Sequence, residues 1–309
     1  MNNSEQPLAL ALGSGAARGW ALIGILQALD EKNIKPDIIA GCSIGALVGA
    51  AYCTEQLADL HDWVLTLDTW SVMRLLDWGV GSGGVVAGSR LYRQLEAQFG
   101  DKKITECQTR FAAVATELHS GREFIFQDGS VLDAIRASCA IPGLLAPQYI
   151  QNKWMIDGAV VNPVPVSVCR MMGAARVIAI DLNAQQLIPN ISRAQQKRAQ
   201  SPEPPVGETS ESQLQGIIGS GKQWFEQMKA KFPRSENQNP GMLAVAASAI
   251  DIMQNRITRS RLAADPPDIL IQPDVADIGI LEFNRAAEGI ERGHQAVAKV
   301  AHLLDGYAK

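Results

Sequence analysis

The chain has 309 residues, of which 47% are hydrophobic and 19% charged, and its formal net charge is −4. These values are typical of a globular chain that buries a large core, and the negative charge argues against an electrostatic nucleic-acid binder. The N-terminus, MNNSEQP, lacks the regions of a signal peptide, and no apolar run approaches the roughly 20 residues of a membrane-spanning helix. Five cysteines without a C-x-x-C pair predict reduced thiols, a cytoplasmic location and no structural zinc site.

Short apolar runs alternate with helical patterns along the chain. Strands are predicted at residues 8–12, 37–41, 110–118, 123–127, 154–156, 176–182 and 269–272, and helices at 17–31, 44–52, 243–262 and 284–307. Strands separated by helices are typical of an α/β sandwich with a mostly parallel sheet. We expect a single domain over residues 7–309, with a flexible polar insertion at about 183–240 where Gln, Ser, Pro and Glu accumulate.

The pentapeptide GCSIG, residues 41–45, places Ser43 between a predicted strand and a predicted helix. A nucleophile elbow requires this context, because a tight turn with small neighbours presents the hydroxyl beside a helix N-terminus. The alternative is an ordinary N-cap serine that stabilises the helix by about 1 kcal/mol. The pentapeptide alone leaves both interpretations open.

A second glycine-rich turn, GSGAARG at residues 13–19, follows the first predicted strand. Its third glycine falls one place too late for a dinucleotide-binding fingerprint, and no Gly-Lys-Ser/Thr follows to form a phosphate-binding loop. Such a turn at a helix start offers unpaired N–H groups that could hold an oxyanion. A merely structural turn stays open as the other interpretation.

The base that would activate Ser43 has two candidates. The chain order Ser43, Asp157, His294 permits a triad, although no local motif surrounds His294 or the other helix histidine, His302. Asp157 follows a short predicted strand in an Asp-Gly pair, and no capping pattern follows it. We therefore expect Asp157 to be the active-site carboxylate.

Four motifs in order, GSGAARGW, AGCSIG, ASCAIPG and DGAVVNPVP, resemble the patatin-like phospholipases, and most closely the bacterial RssA-type branch. The resemblance implies a three-layer α/β sandwich with a mostly parallel central sheet and helices on both faces. It also implies a lipid acyl hydrolase of phospholipase, lysophospholipase or esterase type that works through an acyl-enzyme. Ser43 and Asp157 would form a Ser-Asp dyad, and neither metal nor cofactor would be needed. The residues implied for the oxyanion and substrate site are Gly13, Ser14, Gly15, Ala16, Arg18 and Gly19, with Ser14 standing where many members have glycine.

A carboxylate with a pKa near 3.9 is a poor base unless its surroundings raise that value. We expect Trp154, Ile156 and Val160 to contribute by desolvation. Arg18 would brace the glycine loop, meet an anionic phosphate head group, or be a solvated helix charge. An alternative from another class is a lipid-sensing regulatory protein with little or no turnover on the same fold.

Residues 217–232, inside the polar insertion, carry one amphipathic pattern. On a helical wheel, six apolar side chains fall within an arc of roughly 120° with lysines at both borders: Ile217, Ile218, Trp224, Phe225, Met228 and Phe232. This pattern fits a flap that meets a bilayer peripherally, at the inner face of the membrane. Packing against the protein itself or against a second subunit is the competing interpretation, so the oligomeric state stays open.

Overall fold

The computed structural model describes residues 6–75, 78–81, 84–86, 88–100, 102–184 and 242–308. The strands are β1 (Leu8–Leu12), β2 (Ile38–Cys42), β3 (Trp78–Gly81), β4 (Gly84–Val86), β5 (Arg110–Glu117), β6 (Glu123–Phe126), β7 (Gly143–Leu145), β8 (Gln148–Ile150), β9 (Lys153–Asp157), β10 (Arg176–Ile180) and β11 (Ile269–Ile271). The α-helices are α1 (Ala21–Glu31), α2 (Ile44–Cys53), α3 (Leu57–Leu65), α4 (Thr69–Leu75), α5 (Ser89–Phe99), α6 (Val131–Ser138), α7 (Val166–Met171), α8 (Met242–Ala264) and α9 (Ala286–Lys299). Short 3-10 helices cover Ala16–Trp20, Ile104–Glu106, Gly158–Val160, Phe283–Arg285 and Ala301–Leu303.

The main sheet has eight strands in the order β11-β10-β1-β2-β5-β9-β8, with β6 paired to β5. Its first five strands in this order are parallel, whereas β6, β8 and β9 join by antiparallel pairing. This arrangement confirms the predicted mostly parallel central sheet. A smaller sheet combines β3, β4 and β7.

Alternation along β1 divides the hydrophobic core into two layers. Leu8, Leu10 and Leu12 face a layer built with α1, α2, α6 and α9, while Ala9 and Ala11 face a layer built with α7. Successive side chains of a strand point to opposite faces, so one strand serves both layers. Helices therefore cover both faces of the sheet, as the sandwich interpretation predicted.

The register of the central strands brings three chain segments to one edge. Leu12, the last residue of β1, pairs with Gly41 on one side and with Ile180 on the other. In the next strand, Val114 pairs with Cys42, and the neighbouring Ala115 pairs with Asp157 at the end of β9. The glycine-rich turn after β1, the turn after β2 and the end of β9 consequently meet at this edge.

Most predicted elements are confirmed within two residues, and two differ. The predicted helix at 17–31 begins with the 3-10 turn Ala16–Trp20 and becomes α-helical at Ala21. The predicted C-terminal helix at 284–307 is wrong in length, since α9 ends at Lys299 and His302 lies in a separate 3-10 turn. None of the described helices is long and apolar enough to cross a bilayer.

The chain divides into two compact units, residues 1–185 with 252–309, and residues 186–251. The described part of the second unit is the beginning of α8. The amphipathic pattern at 217–232 lies outside the described residues, so the single domain with a flexible insertion stays a prediction.

Candidate active site

Ser43 occupies a strained turn between β2 and α2. Its φ of 55° and ψ of −123° lie where residues with a side chain are rarely found, a conformation that costs on the order of 1–3 kcal/mol and concentrates at functional sites. A Cβ at Gly41 would lie 2.4 Å from the Gly45 carbonyl oxygen, and one at Gly45 would lie 2.2 Å from the Leu12 carbonyl oxygen. Both flanking glycines are therefore required for close backbone approach, and the turn has the tight strand-to-helix geometry that a nucleophile elbow requires.

The Ser43 hydroxyl is buried and bonded to Asp157. Its Oγ donates to Asp157 Oδ2 at 2.6 Å, the short distance expected of a hydroxyl bonded to a carboxylate, and the residue is 3% exposed. The side chain makes no capping hydrogen bond to α2. The N-cap interpretation of Ser43 is therefore wrong.

The backbone N–H of Ser43 is held by a residue that sequence reasoning missed. It donates to Ser138 Oγ at 2.8 Å, and the same hydroxyl donates to the Val114 carbonyl at 2.6 Å. Ser138 is the last residue of α6 and is fully buried. Its place in the ASCAIPG motif was the available signal, but its partners are distant in the chain.

Asp157 is fixed at both carboxylate oxygens. Oδ2 accepts from Ser43, and Oδ1 accepts from the Ala159 N–H at 2.8 Å. The second bond caps the 3-10 turn Gly158–Val160, a contact for which the sequence carries no capping-box pattern. The backbone is held as well, because its N–H donates to the Ala140 carbonyl and its carbonyl accepts from Thr116 Oγ1.

Burial raises the pKa of Asp157 to about 6, and the hydrogen bonds from Ser43 and Ala159 only partly oppose this. The residue is 2% exposed, so the charged form has lost nearly all contact with water. The three neighbours predicted to bury Asp157 do not supply this burial. Trp154 and Ile156 are three residues and one residue away along β9, so both side chains point to the face opposite the carboxylate, where Trp154 is 42% exposed and Ile156 half-buried. Val160, in the 3-10 turn after β9, is 36% exposed.

The glycine-rich turn lies against the Ser43 turn. A Cβ on Gly19 would lie 2.2 Å from the Ile44 side chain, and Gly45 abuts the Leu12 and Gly13 backbone. Within the turn, the Gly13 N–H donates to Ile180 and the Ser14 N–H to Pro163. These two N–H groups are therefore occupied by other strands and loops of the fold.

The next two N–H groups, of Gly15 and Ala16, donate no hydrogen bond among the described residues. The N–H groups of Ala17 and Arg18, which follow, again donate to backbone carbonyls. Ala16 has a φ of 49°, unusual for a residue with a side chain. Ser14 is buried, and its hydroxyl has no hydrogen-bond partner within the described part of the chain.

Arg18 is buried and braces the turn. Its Nε donates to the Ile278 carbonyl at 2.9 Å, and its Nη1 donates to Asn183 Oδ1 at 3.0 Å. With 6% exposure it is not a solvated helix charge, and that interpretation is wrong. The bracing interpretation agrees with these contacts.

The four histidines lie elsewhere. His294 Nε2 contacts Gln27 between α1 and α9, His61 contacts Asp62 on α3, and both His119 and His302 are exposed. Neither Ser43 nor Asp157 has a histidine partner among the described hydrogen bonds, so the triad alternative is not formed. The described residues contain no cluster of three or more His, Cys, Asp or Glu side chains that could hold a metal ion.

Comparison with known proteins identifies the family. A family model described as "Patatin-like phospholipase" matches residues 10–170. An uncharacterised NTE family protein of Mycobacterium tuberculosis is 31% identical over 98% of this chain and 93% of its own length. Patatin-like phospholipase domain-containing protein 6 of Homo sapiens is 32% identical over 58% of this chain and 13% of its own length. Lysophospholipase NTE1 of Pyricularia oryzae is 27% identical over 93% of this chain and 18% of its own length.

The matched region begins within β1 and contains β2 and β9, together with the turns that follow all three strands, and these segments meet at the Ser43 edge of the sheet. The mycobacterial similarity extends over nearly the whole chain, including α8, β11 and α9. The chain therefore belongs to the patatin-like phospholipases, and among them to the NTE family.

Proposed function

We propose that this protein is a serine lipid acyl hydrolase that uses Ser43 as nucleophile and Asp157 as base. The observation that carries the proposal is the 2.6 Å contact between Ser43 Oγ and Asp157 Oδ2 inside a strained, buried turn. A hydroxyl in contact with a carboxylate of raised pKa combines a nucleophile with its base in a single pair.

In the acylation step, Asp157 Oδ2 takes the hydroxyl proton while Ser43 Oγ attacks the ester carbonyl carbon. The carbonyl oxygen becomes an oxyanion, which the N–H groups of Gly15 and Ala16 would hold. Each donor would stabilise the transition state by roughly 3 kcal/mol. The N–H groups of Gly13 and Ser14 are not oxyanion donors in this scheme, because they already donate to the Ile180 and Pro163 carbonyls. Collapse of the tetrahedral intermediate breaks the ester C–O bond, and the leaving alcohol takes the proton from Asp157.

Deacylation reverses the roles with water. Asp157 takes a proton from the water molecule as its oxygen attacks the acyl carbon, and the same N–H groups hold the second oxyanion. Ser43 Oγ then leaves with the proton from Asp157, and the fatty acid is released. Gly13, Arg18 and Gly19 support the loop in this scheme, and Ser14 presents its buried hydroxyl there.

The family and the relatives' names support acyl esters of phospholipids and lysophospholipids as substrates. We further propose that this protein belongs to the RssA-type branch and works in the cytoplasm. It would contact the inner face of the membrane through residues 217–232. The proposed membrane contact is based on the amphipathic sequence pattern of residues 217–232, because an amphipathic segment can bind at a lipid surface and bring the enzyme to its substrate.

Hydrolysis of a substrate panel tests the proposal. Lysophospholipids, phospholipids, p-nitrophenyl esters and acyl thioesters are offered to the wild type, to Ser43→Ala and to His294→Gln as the control. We expect turnover of at least one lipid ester, its loss in Ser43→Ala and its retention in His294→Gln. A folded wild type that hydrolyses none of them would contradict the proposal and favour the lipid-sensing alternative.

A further inference from the structure

The carbonyl of the Ser14–Gly15 peptide is anchored by a side chain from far along the chain. Asn183 Nδ2 donates to the Ser14 carbonyl oxygen at 2.9 Å, across 169 positions of sequence. In a planar trans peptide the C=O and the N–H point in opposite directions. Holding the Ser14 carbonyl therefore fixes the direction of the Gly15 N–H, which is one of the two donors proposed for the oxyanion.

Asn183 is itself immobilised by its other three hydrogen-bonding groups. Its Oδ1 accepts from Arg18 Nη1 at 3.0 Å, its N–H donates to Asp181 Oδ1 at 3.0 Å, and its carbonyl accepts from Asn255 Nδ2 at 3.0 Å. Asn183 and its four partners are all buried. Because each of its four hydrogen-bonding groups is engaged, Asn183 is held rigidly, and its hydrogen bonds polarise one another.

The glycine in this peptide makes such an anchor necessary. A peptide plane rotates through opposite changes of the two dihedrals that flank it, here ψ of Ser14 and φ of Gly15. Glycine tolerates either sign of φ, so its backbone resists rotation of the Ser14–Gly15 plane less than any other residue would. The bond from Asn183 also polarises the peptide, which strengthens the opposite N–H as a donor.

We infer that Asn183 is a positioning residue that aims and polarises the Gly15 N–H toward the oxyanion. This inference rests on the proposed function. The residue lies two positions beyond Asp181, outside the four sequence motifs, and Asn255 on α8 secures its backbone.

The primary test compares Asn183→Asp with the wild type and with Thr258→Val as matched control. Aspartate keeps the shape of the side chain and the acceptor for Arg18, but it replaces the donor to Ser14 with an oxygen. Thr258 is buried on α8, four-fifths of a turn from Asn255, and its hydroxyl bonds within its own helix. The readouts are kcat and KM on a soluble p-nitrophenyl ester, and hydrogen exchange of the peptide containing residues 13–20.

We expect kcat of Asn183→Asp to fall on the order of 100-fold, the loss typical of one oxyanion donor, with KM nearly unchanged. Exchange at the bonded amides of Ser14 and Arg18 should accelerate relative to Thr258→Val. Asn255→Ala removes the hydrogen bond to the Asn183 carbonyl and should also lower kcat, but by a smaller factor. If Asn183→Asp does not fold, Asn255→Ala is the variant that tests the inference.

An active wild type whose kcat survives within threefold in the folded Asn183→Asp variant would overturn the inference and leave the proposed function intact. The same holds if kcat falls in Thr258→Val as much as in Asn183→Asp. An inactive wild type would instead contradict the proposed function. Exchange at residues 13–20 would then still decide whether Asn183 holds the loop, and equal exchange in both variants would show that it does not.

Discussion

The two carboxylate oxygens of Asp157 have different surroundings. Oδ1 is committed to the Ala159 N–H, so only Oδ2 is directed at the Ser43 hydroxyl. Fixing Oδ1 orients Oδ2 toward the hydroxyl. In a Ser-His-Asp triad, the aspartate orients the histidine base in a comparable way. Burial supplies the basicity, since it raises the pKa of Asp157 to about 6.

The pH dependence of kcat/KM follows from this pKa. Asp157 must be ionised to accept a proton, so activity should be full above pH 7 and should fall about tenfold per pH unit below pH 6. A neutral p-nitrophenyl ester does not titrate in this range, and release of p-nitrophenol is followed at the wavelength where the phenol and the phenolate absorb equally. His294→Gln should leave the break in the profile where it is. A profile that stays flat from pH 4.5 to 8.5, or a break that moves in His294→Gln, would contradict Asp157 as the base.

At the scale of elements, the turn between β2 and α2 was predictable because its requirements are local. Small residues at positions 41 and 45 and a strand-helix junction are visible in the sequence. The support for the turn was not, because it comes from tertiary contacts. Ser138 holds the Ser43 N–H across 95 positions of sequence, and Asn183 holds the Ser14 carbonyl across 169.

Gly45→Ala tests how tightly α2 packs on β1 at this turn. The added Cβ would lie 2.2 Å from the Leu12 carbonyl oxygen, and backbone must move to admit it, so we expect a loss of roughly 3 kcal/mol or more in unfolding free energy. Gly121→Ala is the matched control, because Gly121 has a φ of 66° and open space around it, and strain alone should cost about 1 kcal/mol. Chemical denaturation measures both. Equal losses would refute the close-approach explanation.

For the whole molecule, hydrophobic patterns predicted seven of the eleven described strands and four of the nine described α-helices, and they also predicted the mostly parallel sheet. The three-residue strands β7 and β8 were not predicted because such short segments carry little pattern, whereas β11, of the same length, is marked by prolines on both sides. The neighbours that bury Asp157 were mispredicted because closeness in sequence does not mean that two side chains lie on the same face of a strand. Trp154 is close in sequence, but strand alternation turns it to the other face of β9, and the burial of the carboxylate depends on tertiary packing.

Membrane association is a property of the whole molecule that the 217–232 pattern predicts. We expect a Trp224→Ser/Phe225→Ser double variant to lose co-sedimentation with anionic liposomes and turnover of vesicle lipid, while hydrolysis of a short soluble ester is kept or raised. Unchanged turnover of vesicle lipid would rule out the flap. A fall in melting temperature or a change of oligomeric state would instead support packing of this segment against protein.

Covalent trapping tests the Ser43–Asp157 pair most directly. A fluorophosphonate probe is reacted with the wild type, Ser43→Ala and Asp157→Asn, and the adduct is mapped by peptide mass spectrometry. We predict one adduct, on Ser43, in the wild type, none in Ser43→Ala, and labelling slowed by orders of magnitude in a folded Asp157→Asn. Labelling of Ser43→Ala at the wild-type rate, or a wild-type adduct on a different residue, would contradict Ser43 as the nucleophile.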